Sequence, residues 1–384
     1  MAGSLPQVVF RADANQRIGL GHLMRCLALA EMLHQQFACR FIIRDSDSAI
    51  QDQILASGFT YDLVPSGLTL LEEATWLQQQ VSATTILVLD GYDFDDAYRR
   101  ELKRTSRALI CLDDMGTQHS WCDVIVNAAG GITRAFYSPE PGATLCLGPA
   151  YALLRRPFRE AALRPTHQPD TKRIFLNMGG ADPHNHTLLV LKQLQQRFPE
   201  RKVAVVTGAA YPHQQILNEY AAHKPAVRLY HNLSAAAMAE LLASCGIFVC
   251  PPSGMAYECC ALGGLLLLYP TAENQRRILD FLVNANLALL FPSLPTLVDN
   301  ALPDLASAMQ IRQRAIFDGA AAQRYQQVFA ALHLTYSLSI RRATTADMRL
   351  YFTWANEARV RQQAVHTAPI AWSSHQAWFT RRLT

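Results

Sequence analysis

Short apolar segments alternate with helical patterns along most of the sequence, and this alternation restricts the chain to an α/β fold. In the first half, strands are predicted at 8–12, 40–44, 86–90, 109–113 and 124–127, with helical patterns at 23–33, 70–81 and 95–104. Continuous apolar strands that alternate with helices are typical of a parallel sheet covered on both faces. The first half is therefore predicted to be a doubly wound, Rossmann-like domain.

The alternation restarts after a polar, proline-containing stretch at 164–170, which indicates an interdomain linker. Strands are predicted at 173–177, 203–207, 227–230, 247–250 and 265–269, and helices at 187–198, 234–244, 255–262, 274–287 and, closing this half, 305–332. We predict domains at 1–163 and 164–336, followed by a segment at 337–384 too short to form its own core. Because ligands bind at the carboxyl ends of parallel strands, the loops after the strands are expected to face an interdomain cleft.

Composition favours a globular protein and argues against several partners. The chain has 384 residues, of which 50% are hydrophobic and 17% charged. Its net charge of +4 is not concentrated in runs of basic residues, which argues against a nucleic-acid partner. Arg155, Arg156 and Arg159 are interpreted as surface residues or as a contact for an anionic ligand. The N-terminus lacks a signal-peptide pattern, apolar windows are too short to cross a bilayer, and nine cysteines lack Cys-x-x-Cys spacing. We expect a cytoplasmic protein with reduced thiols and no membrane partner.

The turn between the first predicted strand and the first helix carries a candidate base. It contains Gly19 and Gly21, ends in His22, and follows the strand end with Arg11 and Asp13. Glycines permit a tight turn, and a helix N-terminus favours anions over imidazolium, which suits a histidine acting as a general base. An N-capping histidine and a phosphate-binding turn without a catalytic role remain alternatives.

Two common nucleotide-binding classes do not fit this turn. A dinucleotide fingerprint requires a third glycine where the chain has Met24, and the sequence contains no Walker motif. A nicotinamide dehydrogenase and a P-loop NTPase are therefore disfavoured.

Two loops of the second half are candidates for binding a diphosphate. Met178, Gly179 and Gly180 follow one predicted strand and precede a helix, and Ser253 and Gly254 do the same after another strand. Backbone N–H groups at such turns can hold phosphate oxygens. The alternative is a plain turn with no ligand.

Further polar residues extend this pattern towards a nucleotide sugar. Glu258 lies one turn into the helix and can accept hydrogen bonds from vicinal sugar hydroxyls, while Asn274 and Gln275 start the next helix, where simple capping is the alternative. In the first half, Asp90 and the pair 113–114 follow strands and are candidates to orient His22 or contact a sugar.

A metal site is not favoured by the sequence. His184 and His186 lie beside Asp182, and such residues can ligate zinc. A two-residue histidine spacing in a loop is nevertheless common by chance, so no metal is assigned.

The order of these motifs along residues 7–330 resembles one family, the UDP-sugar hydrolases of pseudaminic acid biosynthesis, which release UDP from UDP-2,4-diacetamido-2,4,6-trideoxy-β-L-altropyranose. The motifs are RADANQRIGLGHLMRC, LDGYD, LDD, GPAYALLRRPF, NMGGADPHNHT, PPSGMAYECCALGG and TAENQ. The resemblance implies the GT-B fold, two Rossmann-like domains around a cleft, a UDP-sugar substrate, and neither metal nor cofactor.

The resemblance also implies residue roles. His22 would activate water for inverting attack at the anomeric carbon, Tyr92 would contact the sugar, and Asn274 would lie near the pyrophosphate and sugar. The other residues expected to bind substrate are Arg11, Asp13, Gly19, Gly21, Met178, Gly179, Gly180, Ser253, Gly254, Glu258 and Gln275. The sequence departs from many relatives at Pro251 and Pro252, which cannot donate N–H groups, so phosphate contacts are expected from Ser253 onward. A GT-B glycosyltransferase is the alternative. A third hypothesis is a binding or regulatory protein that retains the nucleotide pocket but does not turn over a substrate.

The C-terminal segment has a resemblance of its own, to the start of a GNAT N-acetyltransferase. Its motifs are SIRRATTADMRLYFTWANEARVR and IAWSSHQAWFTRRL, with a strand expected at 339–342 and helices at 345–356 and 372–382. A family that acetylates the 4-amino group in the same pathway begins in this way, which implies an association with such an acetyltransferase. The segment lacks the acetyl-CoA-binding turn, so we expect no acetyltransferase activity from this chain and expect Trp354, Trp372 and Trp378 to be partly exposed.

Overall fold

The computed structural model describes residues 5–13, 21–44, 48–116, 120–165, 168–337, 341–364 and 366–383. The chain divides into two compact units, Met1–His333 and Leu334–Thr384. Gly19 lies outside the described residues, as do positions 339 and 340 of the strand expected at 339–342; Arg341 and Arg342 are described and are not in a strand.

The first half of the larger unit is built on a seven-stranded, wholly parallel sheet in the order β3-β2-β1-β4-β5-β6-β7. Its strands are β1 Gln7–Ala12, β2 Ala38–Ile43, β3 Thr60–Leu63, β4 Ile86–Asp90, β5 Ala108–Leu112, β6 Val124–Asn127 and β7 Thr144–Leu147. The helices are α1 Gly21–Leu33, α2 Ser48–Ala56, α3 Leu70–Gln80, α4 Asp96–Lys103 and α5 Arg156–Ala162. The central strands β4, β5 and β6 are buried along their whole length, because helices cover both faces of the sheet.

The second half repeats this plan with a six-stranded parallel sheet in the order β10-β9-β8-β11-β12-β13. Its strands are β8 Arg173–Leu176, β9 Lys202–Thr207, β10 Val227–His231, β11 Ile247–Cys250, β12 Leu265–Leu268 and β13 Leu289–Leu290. Its helices are α6 His186–Arg197, α7 Gln214–Ala222, α8 Ala235–Ala243, α9 Gly254–Leu262, α10 Arg276–Asn284, α11 Leu302–Ile316 and α12 Ala321–Ser337. The doubly wound α/β architecture expected from the sequence is confirmed.

Two helices pack against the half opposite to the one expected from their place in the sequence. Phe158 of α5 lies in the core of the second half, although α5 precedes the linker expected at 164–170. Tyr325 and Phe329 of α12 lie in the core of the first half, and the Tyr325 hydroxyl donates to the Tyr151 carbonyl at 2.6 Å. The chain therefore crosses between the halves twice, so the boundary at 163 does not coincide with the packing.

The long helix predicted at 305–332 is in fact two helices, α11 and α12. The break contains Gly319 at φ +76°, a conformation that a side chain disfavours and that ends the helical path. Without this break α12 would not reach the first sheet.

One expectation about the cysteines is wrong. The structure joins Cys111 at the end of β5 to Cys122 in a disulfide, whereas reduced thiols were expected throughout. Within the described ranges no helix is both long and apolar enough to cross a membrane.

The smaller unit consists mainly of three helices, α13 Met348–Ala355, α14 Ala358–Gln362 and α15 Trp372–Leu383. Phe352 of α13 meets the ring of Trp372 edge-on at 5.0 Å, and Phe379 of α15 is buried. Trp354, Trp372 and Trp378 remain nearly half exposed, which confirms the expectation for these side chains.

Phe329→Ala is expected to lower the free energy of unfolding by about 3–5 kcal/mol, because Phe329 is fully buried between α12 and the first half, where it meets Phe37 edge-on at 5.8 Å. Urea titration of the whole chain measures the change. Ile311→Ala, on the exposed face of α11, is the control and should change stability by much less. Equal effects of the two substitutions would contradict the packing of α12 described above.

Candidate functional site

The residues expected to form the site cluster where each sheet reverses its strand order. This switch lies between β1 and β4 in the first half and between β8 and β11 in the second. Ligands of doubly wound sheets bind in the crevice outside the carboxyl ends of such strands. Asp90 is the last residue of β4, Gly179 follows β8, and Ser253 follows β11, so both switch points carry candidate residues.

His22 and Asp90 form a hydrogen-bonded pair at the first switch point. His22 is the second residue of α1 and is 4% exposed, and its Nδ1 donates to Oδ1 of the fully buried Asp90 at 2.5 Å. Because Nδ1 carries the proton in this bond, Nε2 is the ring nitrogen left to accept one. The pair has the arrangement of a general base held by a carboxylate.

Arg25 holds the Asp90 carboxylate from the same helix. Its Nε donates to Asp90 Oδ2 at 2.5 Å, its Nη2 to Asp90 Oδ1, and its Nη1 to Asp114 Oδ2 at 2.8 Å. Burial alone would raise the pKa of Asp90, but the charge and hydrogen bonds of Arg25, joined by the bond from His22, lower it below its usual value. Asp90 therefore stays ionised and keeps His22 in one orientation.

Tyr92, for which the resemblance implies a contact with the sugar, lies beside the His22 ring. Its ring meets the His22 ring edge-on at 4.7 Å, and its hydroxyl donates to Asp114 Oδ2 at 3.1 Å. The side chain is 62% exposed, so most of it is open to contact by a ligand. Partial burial and the nearby Asp114 carboxylate raise the pKa of Tyr92, which keeps its hydroxyl protonated as a donor.

A cavity of about 470 Å³ lies between the two halves next to this network. Its lining includes Gly21, Arg25 and Asp114 from the first half and Gly254 and Glu258 from the second. A cavity of this size suits a small organic ligand.

Close contacts between the halves set the width of this cleft. The Gly130 N–H donates to the Tyr257 hydroxyl at 2.9 Å, and a Cβ at Gly130 would lie 1.9 Å from Cγ of Phe281. Arg277 of α10 donates to the carbonyls of Asp114 and Met115. Glycine at position 130 is therefore required for this approach.

The N-terminus of α9 opens towards the cavity. Ser253 is the N-cap residue, yet its side chain makes no capping hydrogen bond, and Gly254 is exposed. The first N–H groups of a helix have no intrahelical partners, so an uncapped terminus attracts anions. The buried Pro251 and Pro252 precede this turn and leave Ser253 as the first residue able to donate.

The N-terminus of α6 is less available than expected. Asp182 accepts hydrogen bonds from the N–H groups of His186 at 2.9 Å and Thr187 at 2.7 Å. The Gly179 N–H, at φ +93°, donates to the Asn177 side chain at 3.1 Å, which leaves the exposed Gly180 as the freer donor of this loop. These capping hydrogen bonds occupy the Asp182 carboxylate, which a metal site with His184 and His186 would need. In the part of the chain that is described, no group of three or more His, Cys, Asp or Glu side chains is close enough to hold a metal ion.

Glu258 is paired with an arginine that the sequence analysis interpreted differently. Arg155 Nε and Nη2 donate to the two carboxylate oxygens of Glu258 at 2.6 and 2.7 Å. Burial raises the pKa of Glu258 above its ordinary value, and the Arg155 guanidinium opposes that rise. Arg155 is thus neither a free surface residue nor, in this structure, a free contact for an anion.

Several expected substrate contacts lie elsewhere. The Arg11 guanidinium is 1% exposed and bonded to Glu73 at 2.6 Å and to Asp13 at 2.5 Å, so this geometry does not support a ligand contact from Arg11. The Asp13 carboxylate also accepts from the Arg44 N–H, and it therefore ties the ends of β1 and β2 together. Both residues support the strand ends beneath the site.

Three further positions complete the comparison with expectation. The Met178 side chain is buried in the second core, and the Gln275 amide bonds to the Thr271 backbone N–H at 2.8 Å within its own loop. These positions do not support the ligand contacts expected from them. Asn274 lies in a short 3₁₀ turn, Glu273–Gln275, and its side chain is outside the described part of the structure.

Arg25 is the site residue that sequence reasoning missed. Its only signal is its spacing of three from His22, which places both side chains on one face of α1. Asp114, left open as a sugar contact or a surface turn, joins the same network through Arg25.

The chain has distant relatives among curated proteins, while no protein-family model matches it. It is 22% identical to an uncharacterized protein of Methanocaldococcus jannaschii over 98% of this chain and 78% of that protein. It is 22% identical to the spore coat polysaccharide biosynthesis protein SpsG of Bacillus subtilis, over 69% of this chain and 77% of that one. It is 26% identical to the UDP-2,4-diacetamido-2,4,6-trideoxy-β-L-altropyranose hydrolase of Campylobacter jejuni, over 58% of this chain and 77% of that one.

Solved structures with the same fold cover most of the chain. MurG of Acinetobacter baumannii is 13% identical over 85% of this chain and 100% of its own, with a TM-score of 0.59. A UDP-glucosyltransferase of Polygonum tinctorium is 12% identical over 87% of this chain and 100% of its own, with a TM-score of 0.56. UDP-GlcNAc 2-epimerase of Neisseria meningitidis is 11% identical over 86% and 100%, with a TM-score of 0.57. These likenesses confirm the GT-B fold.

Arg25→Met is expected to lower the free energy of unfolding by roughly 3 kcal/mol at pH 7, because it leaves Asp90 buried without its cationic partner. In the wild type, the lowered pKa of Asp90 stabilises the fold above the ordinary aspartate range, and this stabilisation is lost as the pH falls through the lowered value. In the variant, unopposed burial raises that pKa instead, so the deficit should shrink as the pH falls from 7 towards about 4.

Denaturant titrations at several pH values measure this deficit. Arg104→Met, which removes an arginine from an exposed pair with Glu101, is the matched control and should show little change at any pH. A deficit that stays constant across this pH range would contradict the assigned role of Arg25.

Proposed function

We propose that this protein is an enzyme that hydrolyses a UDP-linked sugar at its anomeric carbon, with His22 as the general base. The observation that carries the proposal is the His22–Asp90 pair, whose partner Arg25 lines a cavity together with Gly254 at the uncapped start of α9 and Glu258. A base, an anion site and a carboxylate for ribose hydroxyls are the groups that such a reaction needs.

The proposed reaction is a single displacement. A water molecule gives its proton to His22 Nε2 while its oxygen forms a bond to the anomeric carbon from the face opposite the nucleotide. The bond from this carbon to the diphosphate oxygen breaks, and its electron pair leaves with UDP. The free sugar is released with inverted configuration, and Asp90 stabilises the imidazolium formed at His22.

The leaving group requires charge stabilisation rather than a strong acid. UDP is a good leaving group, and Gly180, Ser253 and Gly254 lie in the loops that follow β8 and β11, where backbone N–H groups can bind a diphosphate. In this proposal Gly179 contributes through the conformation of its turn, and Tyr92 and Asn274 contact the sugar. No metal or cofactor takes part.

The substrate we propose is the UDP-2,4-diacetamido-2,4,6-trideoxy sugar of pseudaminic acid biosynthesis. The support is the similarity to the Campylobacter jejuni hydrolase, which spans 58% of this chain. His22 belongs to the motif RADANQRIGLGHLMRC, and Asp90 and Tyr92 belong to LDGYD. These two motifs are in contact, because the His22 ring is hydrogen-bonded to Asp90 and lies beside the Tyr92 ring.

A glycosyltransferase that uses a UDP-sugar donor is the alternative. Its support is the fold shared with a UDP-glucosyltransferase and with MurG, and one GT-B architecture serves both reactions. In that case a sugar or lipid hydroxyl takes the place of water.

For residues 337–384 we propose a partial GNAT-like segment and an association with an acetyltransferase of the same pathway. The support is the exposure of Trp354, Trp372 and Trp378 on short helices. We expect no acetyl-CoA consumption by this chain alone, and measurable turnover by the isolated chain would refute this assignment.

His22→Ala is expected to reduce UDP release from the 2,4-diacetamido UDP-sugar by about a hundredfold or more, as for a lost general base. The assay contains a metal chelator and no sugar or lipid acceptor. His34→Ala is the matched control, because His34 is exposed just after the end of the same helix and its ring donates to the Glu31 carbonyl at 2.8 Å.

The outcomes separate the proposals. Release by the wild type and His34→Ala, together with its loss in His22→Ala, supports the hydrolase and its base. Release that is unchanged in His22→Ala keeps the hydrolase and overturns the mechanism. Absence of release until an acceptor is added moves the protein to the glycosyltransferases.

A further inference from the structure

The ion pair between Arg155 and Glu258 joins the segment that crosses between the halves to the wall of the cleft. Arg155 follows the crossing segment 148–154 and immediately precedes α5, while Glu258 lies in the second turn of α9. Both carboxylate oxygens accept from the guanidinium, in the bidentate geometry of strong arginine–carboxylate pairs. Glu258 is 6% exposed, so its orientation is set by this partner rather than by water.

The position of Arg155 is itself fixed. Its guanidinium stacks over the Phe158 ring at 4.9 Å, and Phe158 is fully buried in the second core. Arg155 lines both the 470 Å³ cavity and a neighbouring cavity of about 420 Å³, whose wall also includes Asn232 and Ser234. A change at Arg155 therefore acts where the two cavities adjoin.

The pair leaves Glu258 able to bind a second partner. An ionised carboxylate has about four lone-pair sites, of which Arg155 uses two. Burial raises the pKa of Glu258 and the Arg155 guanidinium opposes that rise, so removal of Arg155 shifts the balance towards the neutral form, which is a weaker acceptor. Glu258 lines the cavity, so its remaining acceptor sites are next to the space a ligand would fill.

We propose that Arg155 is a positioning residue for ribose recognition: through its bidentate ion pair it fixes the orientation of the Glu258 carboxylate so that hydroxyls of a ribonucleoside diphosphate donate to it. The inference rests on the proposed function, because it takes UDP as the nucleotide. It adds Arg155, which directly follows the crossing segment, to the determinants of nucleotide specificity.

The test measures binding and needs no turnover. Titration calorimetry with UDP, 2′-deoxy-UDP and 3′-deoxy-UDP is carried out on the whole chain for the wild type, Arg155→Met and Arg155→Lys. For the wild type we expect UDP to bind roughly tenfold or more tightly than at least one deoxy analogue, as for a hydrogen bond to a charged group. Arg155→Met should bring this ratio to within about twofold of one, and Arg155→Lys, which keeps the charge but loses the bidentate geometry and the stacking on Phe158, should restore only part of it.

Controls separate specificity from folding. Arg104→Met removes a surface arginine from a glutamate pair and should keep the wild-type ratio. Thermal unfolding establishes that each variant is folded, and Arg155→Gln, which lacks the charge but keeps an amide donor, replaces Arg155→Met with the same expectation if the latter fails to fold.

The failures of the two proposals are distinguishable. A wild type that does not bind UDP overturns the proposed function and this inference with it. A wild type that binds UDP and both analogues equally well leaves the proposed function standing and overturns the role of Glu258 and Arg155. An undiminished ratio in the folded Arg155→Met variant overturns the role of Arg155 alone.

Discussion

The buried carboxylate of Asp90 is the constraint around which the first half of the site is arranged. A negative charge at the end of a buried strand is unfavourable unless cations and donors surround it, and here α1 supplies Arg25 and His22 while the Cys26 thiol lies 3.5 Å away. One face of α1 thus supplies the cation and the hydrogen-bond donors that the carboxylate at the end of β4 requires. The start of α1, the end of β4 and the orientation of His22 are consequences of the same electrostatic requirement.

Much of the fold can be predicted from the sequence, because its central strands are buried on both faces and therefore appear as continuous apolar runs. The ten strands predicted within residues 1–336 are all present, with ends that agree within two residues. Those that escaped prediction, β3, β7 and β13, lie at sheet edges, where one side has no neighbouring strand and the apolar run is short or interrupted. Edge strands are defined by pairing, which sequence periodicity does not record.

Candidate site residues could be predicted where they lie in local sequence motifs. The ion-pair partners of charged residues could not be predicted, because those partners are distant in the chain. His22 was identified from the turn after the first strand and Tyr92 from the family resemblance, and the structure places their rings together. The ion-pair partners of Arg11 and Arg155 were not foreseen, because Glu73 lies 62 positions from Arg11 and Glu258 lies 103 positions from Arg155. A charged residue in a motif looks the same in sequence whether it faces a ligand or a buried carboxylate.

The double crossing of the chain means that neither half is a continuous piece of sequence. Residues 1–163 alone would lack the aromatic side chains of Tyr325 and Phe329 and would expose Phe158 of α5, whose natural neighbours belong to the other sheet. The core of each half therefore includes side chains from a helix that lies outside that half's own stretch of sequence. Ribosomal synthesis from the N-terminus consequently leaves the first sheet without its last helix until α12 has emerged, so the core beneath His22 is completed only after the whole second sheet has been translated.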